Sequence, residues 1–183
     1  MILGSGTRGL VFAHQRGGDL CEWLSTAGSY ARLGYRVLVF DFHDQDQVDD
    51  DVVAAVAELR RRGVARVVLV GSSMGGTAVL VAAARIRPAV AGVVSLSGRT
   101  VFGDMDARTA VVRLRVPVLF VAARRDGPFA TAARGLYGAA ATRDKRLLVL
   151  GSAAHGSSLL SFGGEAARVR AALRGFVTAH LGR

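Results

Sequence analysis

Cysteine is almost missing from this 183-residue chain. Cys21 stands alone, which excludes an internal disulfide and any multi-cysteine metal site. No apolar run reaches the roughly 18 residues that a membrane-spanning helix needs. The opening residues Met1-Ile2-Leu3 carry no basic segment and run straight into Gly4-Ser5-Gly6, so no secretory signal is expected and the expected compartment is the cytoplasm. Lysine is scarce as well: of 24 basic residues only Lys145 is lysine, the rest being arginines spread along the chain. The net charge of +10 allows weak, salt-sensitive attraction to polyanions. There is no zinc-finger spacing, aromatic stacking motif or basic arm, so no specific nucleic-acid partner is expected. The one dense cluster, Arg60-Arg61-Arg62, closes a helical segment, where cations complement the helix dipole. Charged residues make up 21% against 51% hydrophobic, which excludes a disordered chain. Linkers, repeats and low-complexity segments are lacking too. Residues 1–183 are expected to form one domain that buries roughly 70% of its unfolded surface.

What is present is an alternation of strands and helices. Apolar runs at Gly9 to Ala13, Arg36 to Phe40, Arg66 to Val70, Ala91 to Leu96, Val116 to Ala122 and Arg146 to Leu150 are nearly continuous, as strands buried on both faces require. Helical patterns fall between them, at about 19–33, 49–62, 75–85, 128–141 and 164–181, with Asp49 a candidate N-cap. The alternation predicts an α/β fold: a mostly parallel sheet of about six strands in a three-layer α-β-α arrangement. Ligands of such sheets bind beyond the carboxyl ends of the strands.

The pentapeptide Gly71-Ser72-Ser73-Met74-Gly75 sits at one of those ends, between the run Val67-Val68-Leu69-Val70 and a helical stretch beginning near Thr77. A Gly-x-Ser-x-Gly between strand and helix is the pattern of a nucleophile elbow, with Ser73 raised above the sheet at a helix N-terminus. A serine hydroxyl needs a base, usually a histidine oriented by a carboxylate. Of the four histidines, His180 reads as the end of the last helix and His43 as a solvated loop residue in Asp41-Phe42-His43-Asp44-Gln45-Asp46. His155 follows the last strand in Gly151-Ser152-Ala153-Ala154-His155-Gly156, a loop able to return over Ser73. Asp126, after the preceding strand, is the first candidate carboxylate, and Asp104 and Asp106 are the alternatives.

The order Ser73, Asp126, His155 and the elbow resemble the α/β-hydrolase family over nearly the whole chain, in its small, capless, esterase and dienelactone-hydrolase-like form. Val11-Phe12-Ala13-His14-Gln15-Arg16-Gly17-Gly18 is similar to the family's oxyanion strand and loop. The resemblance implies an oxyanion hole made by the amide of Met74 and that of Arg16, or alternatively Gln15, with His14 bracing the loop on the substrate side. It implies no metal and no organic cofactor. Two departures stand out. Only eight residues precede the strand that ends at His14, so the first two strands of the family are expected to be missing, through a trimmed edge or a start at an internal methionine. The acids of 44–51 replace a Gly-rich loop and read as solvated or as helix N-terminal charge. Residues 98–115 are too few for a cap domain. The basic rim of Arg16, Arg99, Arg124 and Arg125 makes Arg99 and Arg124 candidate substrate-binding residues, with a preference for carboxylate- or phosphate-bearing substrates. The alternative is that these arginines are solvated or paired with Asp104, Asp106 and Asp126. Cys21 and Trp23 read as packing residues. The expected activity is hydrolysis of a small ester or thioester by a carboxylesterase-like serine hydrolase. The rivals are a non-catalytic or partner-completed member of the fold, and the same triad acting as a peptidase or acyltransferase.

Overall fold

A computed structural model describes residues 1–43 and 48–182 of the chain. The chain opens with a short strand β1 (Ile2–Leu3), then β2 (Arg8–Ala13), a 3-10 turn (Leu20–Trp23), α1 (Leu24–Arg32) and β3 (Arg36–Val39). It continues with α2 (Val48–Arg61), β4 (Arg66–Ser72), α3 (Met74–Arg85) and β5 (Gly92–Leu96). A small hairpin, β6 (Val101–Phe102) and β7 (Met105–Asp106), leads into α4 (Ala107–Arg113) and β8 (Val118–Ala123). The last elements are α5 (Phe129–Ala139), β9 (Lys145–Leu150), a second 3-10 turn (Gly156–Leu160) and α6 (Ala166–Leu181).

Seven strands form the main sheet in the order β1-β3-β2-β4-β5-β8-β9, all parallel except β1, which runs antiparallel to β3. Alternate side chains of each strand reach opposite faces. On β4, Val67 and Leu69 join the core under α2, α3, α4 and α5, while Val68 and Val70 join the core under α1 and α6. Each such side chain, fully buried, contributes about 1.5–3 kcal/mol. Helices on both faces explain why the strands read as unbroken apolar runs rather than as alternation.

The register places the site. Ala13 lies opposite Gly71, Ser72 opposite Leu96, Leu96 opposite Val121, and Ala123 opposite Leu150. The residues that follow these positions, His14, Ser73, Ser97, Arg124 and Gly151, therefore leave the sheet along one edge.

Several expectations change, though the sheet has seven strands, in line with the expected six or so, the outermost being the two-residue antiparallel β1 ahead of β2. Met1 O accepts from Val39 N–H at 3.0 Å and the Met1 amino group donates to Val39 O at 2.7 Å. Two paired residues are too few to give a periodic signal. Residues 98–115 hold the β6–β7 hairpin and the seven-residue α4, neither of which had been expected. The helix expected at 19–33 is a 3-10 turn followed by α1, because Asp19 Oδ1 accepts the Cys21 N–H at 2.8 Å and tightens the entry. That geometry points Trp23 into the core against Phe12, with ring centroids 4.9 Å apart, and leaves Cys21 exposed rather than packed. Asp49 is inside the first turn of α2, not its N-cap, and pairs with Arg85 of α3 together with Asp50. Of the acidic stretch at 44–51, residues 44–47 lie outside the described residues.

Candidate active site

The elbow is built by what its glycines lack. A Cβ on Gly71 would overlap the Gly75 carbonyl, and one on Gly75 would overlap the carbonyl oxygens of Ala13 and His14. Larger residues would push β4, α3 and the loop after β2 apart. Between these contacts Ser73 is held at φ 51°, ψ −110°, a backbone conformation that non-glycine residues rarely adopt and that persists only when its surroundings over-determine it. Its N–H donates to Leu96 O at 2.8 Å, and its carbonyl accepts from Thr77 N at 3.0 Å. Ser73 is partly exposed, and α3 begins at the next residue, so the Met74 N–H is among the helix amides without an intrahelical partner.

His155 Nδ1–H donates to Asp126 Oδ2 at 2.8 Å, with side-chain exposures of 33% and 11%. A carboxylate only accepts, so the proton of this pair sits on Nδ1 and leaves Nε2 as the basic nitrogen. The same Oδ2 accepts from Ser97 Oγ at 3.0 Å, and Ser97 Oγ accepts the Gly156 N–H at 3.1 Å. The loop is thereby pinned on both sides of the imidazole. The Ser157 N–H donates to Ser72 Oγ at 3.1 Å, which docks the residues after His155 against the residue before Ser73. Gly156, at φ +56°, passes so close that a Cβ would come within 2.5 Å of Ser72 Oγ and Gln15 Oε1. Among the described residues the Ser73 hydroxyl and His155 Nε2 make no hydrogen bond. Of the alternative carboxylates, Asp106 caps α4, accepting from Thr109 N–H at 3.0 Å and Thr109 Oγ1 at 2.7 Å, and Asp104 is exposed.

On the other side of Ser73, residues Gln15 to Gly18 form a turn closed by Gly18 N–H to Gln15 O at 3.0 Å. Gly17, at φ +74°, supplies the left-handed position that a type II turn requires. His14 is buried; its Nδ1–H donates to Gln15 O at 2.8 Å and its Nε2 accepts the Phe42 N–H at 3.3 Å. Both ring nitrogens are thus paired, one to the turn and one to the segment after β3. The Gln15 N–H is also occupied, donating to Glu22 Oε2 at 3.2 Å, while its side chain meets Ser72 Oγ at 3.2 Å. The Gln15 N–H is therefore already paired in this geometry.

Residues 35–156, more than half of the chain, match the model of the dienelactone hydrolase family. The chain belongs to the dienelactone hydrolase family. The match spans Ser73, Asp126 and His155 but not the Gln15–Gly18 turn. No curated protein sequence matches the chain significantly. Among solved structures, one described with LipS and LipT, two metagenome-derived lipolytic enzymes, superposes with a TM-score of 0.83 at 16% identity, covering 98% of this chain and 97% of that one. A monoacylglycerol lipase from Paleococcus ferrophilus gives 0.82 at 14% identity over 98% of each chain. A dienelactone hydrolase from Anabaena variabilis gives 0.72 at 24% identity over 99% and 89%. Likenesses at these identities show the fold, which is that of the α/β hydrolases. By fold and family this chain is an α/β hydrolase.

Within this member of the family the rim arginines separate. The Arg99 guanidinium lies over the Phe129 ring at 5.9 Å, and that ring packs on His155 with centroids 4.3 Å apart. Arg99 thus stands one ring away from the imidazole. Arg16 and Arg124 are exposed, and among the described residues nothing ties the Arg124 side chain to Asp126 or His155. Sequence reasoning missed four residues here: Glu22, Ser72, Ser97 and Phe129. Ser72 and Ser97 carried a faint signal, as polar residues where apolar strands β4 and β5 end. Glu22 and Phe129 carried none, because only tertiary packing brings them to the site.

Proposed function

We propose that this dienelactone hydrolase family member is a carboxylesterase-like serine hydrolase that cleaves small esters or thioesters through an acyl-enzyme. Ser73 Oγ attacks the carbonyl carbon as His155 Nε2 takes its proton. Asp126 holds the imidazole as the Nδ1–H tautomer and stabilises the imidazolium that forms. The amides of Met74 and Arg16 receive the oxyanion, helped by the positive end of the α3 dipole. The imidazolium returns its proton to the leaving alcohol or thiol. A water deprotonated by His155 then attacks the acyl carbon and regenerates Ser73. No step calls on a metal or organic cofactor.

The observation that carries this reading is the 2.8 Å pair of His155 Nδ1 and Asp126 Oδ2, on a loop docked beside a serine at an elbow with positive φ. The partner-completed alternative draws its support from missing edge strands; against it, β1 pairs with β3 along that edge of the sheet. Intact-mass labelling with a fluorophosphonate tests the reading. One adduct on the wild type, absent in Ser73→Ala and slowed in His155→Ala, is expected. A folded wild type that takes no adduct would sink it. An ester, thioester and peptide panel on the labelled enzyme then separates esterase from peptidase use of the same triad.

A further inference from the structure

Beneath the Gln15–Gly18 turn lies a carboxylate that this chemistry does not use. Glu22, in the first 3-10 turn, reaches under the loop, and its Oε2 accepts the Gln15 N–H at 3.2 Å. Ser72 and Ser157 stand near the same carboxyl, and the Ser72 hydroxyl donates to the Gln15 side-chain oxygen at 3.2 Å. A Cβ on Gly18 would come within 2.7 Å of Oε2, so the turn is moulded to the carboxylate. The other oxygen, Oε1, is buried without a hydrogen-bond partner among the described residues.

The neighbours of Glu22 come from three segments of the candidate site. Gln15 belongs to the oxyanion loop, Ser72 precedes the nucleophile, and Ser157 lies two residues beyond His155. A desolvated carboxylate with an orphaned oxygen opposes folding, and an amide or apolar group would fill the same space at less cost. The placement makes sense for turnover rather than for stability.

We infer that Glu22 is a positioning residue: by accepting the Gln15 N–H it fixes the Gln15–Arg16 peptide so that the Arg16 amide is the one offered to the oxyanion, and it thereby holds in place the Gln15 side chain, whose oxygen accepts from Ser72 Oγ and ties the loop to the nucleophile strand. This rests on the serine-hydrolase reading above. The charge matters because an ionised acceptor holds an N–H more strongly than a neutral one. Arg170 and Arg174 of α6 and Tyr30 of α1 border, with Glu22, a cavity of 320 Å³.

The test compares wild type, Glu22→Gln and Glu22→Ala in four measurements: steady-state kinetics on a short p-nitrophenyl ester, affinity for a trifluoromethyl ketone, thermal melting, and NMR exchange of the Gln15 amide. The expected kcat is roughly tenfold lower in Glu22→Gln and about 10²-fold lower in Glu22→Ala, with KM within about twofold. Ketone affinity should fall in parallel with kcat/KM, since both report oxyanion binding. The Tm of Glu22→Gln should equal or exceed that of the wild type, and Gln15 exchange should accelerate in Glu22→Ala. Unchanged kcat in both variants overturns the proposal. So does a joint fall of kcat and Tm with ketone affinity intact, the mark of a packing role. A wild type inert to esters and fluorophosphonate overturns the hydrolase reading. In that case accelerated Gln15 exchange in Glu22→Ala would still uphold the anchoring of the loop, and unaltered exchange would overturn that too.

Discussion

At the residue scale, the candidate site depends on groups that hold one tautomer and one loop geometry. Asp126→Asn keeps the shape but presents an amide to Nδ1, so the imidazole is no longer held in its working tautomer. The expected loss in kcat is about 10⁴-fold with little change in Tm, read from ester kinetics and a thermal melt. Ser97→Ala removes a donor to Asp126 Oδ2 and the acceptor of the Gly156 N–H together. A buried amide left unpaired costs about 1–3 kcal/mol, and chemical denaturation should show a loss in that range. Glu22 titrates in the opposite sense to a paired carboxylate. Burial is the largest cause raising its pKa above 4.5. The folded state therefore holds the Glu22 proton more tightly than the unfolded chain does. The group favours folding below its unfolded pKa, and that contribution is lost as pH rises through the folded value. Glu22→Gln should accordingly gain stability relative to wild type between pH 4 and pH 8. A difference that shrinks over that range would contradict the assignment.

At the scale of elements, the junction of β2, α1 and the first 3-10 turn carries the Gln15–Gly18 turn on an aromatic stack. Phe12 lies 4.9 Å from Trp23 and 6.1 Å from Tyr30, and all three side chains are buried. Trp23→Ala should cost about 3–5 kcal/mol in equilibrium unfolding, the range for emptying an aromatic core site. The link between α2 and α3 is of a different kind. Arg85 reaches both Asp49 and Asp50 across the surface, with its own side chain half exposed. Solvent screens such pairs, so Arg85→Ala should cost about 1 kcal/mol or less. The contrast orders the elements: packing holds the sheet and its helices together, and surface charge adjusts their edges. Strand β1 belongs with the weak contributions, with two residues paired to Leu38 and Val37 at the rim of β3.

At the scale of the whole molecule, a net charge of +10 surrounds a mouth that has Arg99 one ring away from His155. Anionic esters should show a higher kcat/KM than neutral esters of equal chain length, and the advantage should shrink as added salt screens the field. Equal values at low salt would refute a role for the rim arginines. How much of this molecule could be read from its residues depends on the range of the interaction concerned. Strand and helix identity is set by local periodicity, so the parallel core strands, the elbow at Ser73 and the positions of Asp126 and His155 at strand ends were legible in the chain itself. Interactions without a local period were not. Strand β1 is too short to repeat, α4 follows a hairpin of two-residue strands, and Cys21 turned outward because Trp23 took the inward position. Burial also hid the partners of Gln15 and the brace at Ser97, since a side chain's environment is made by segments far away in sequence. The chain alone thus determined the α/β architecture and the residue types available for chemistry. Only the tertiary structure decided that Asp126 rather than Asp106 meets His155, because sheet register sets which loop ends come within hydrogen-bonding distance, and that the Gln15 amide is spent on Glu22, because the 3-10 turn after the loop folds that carboxylate back onto it.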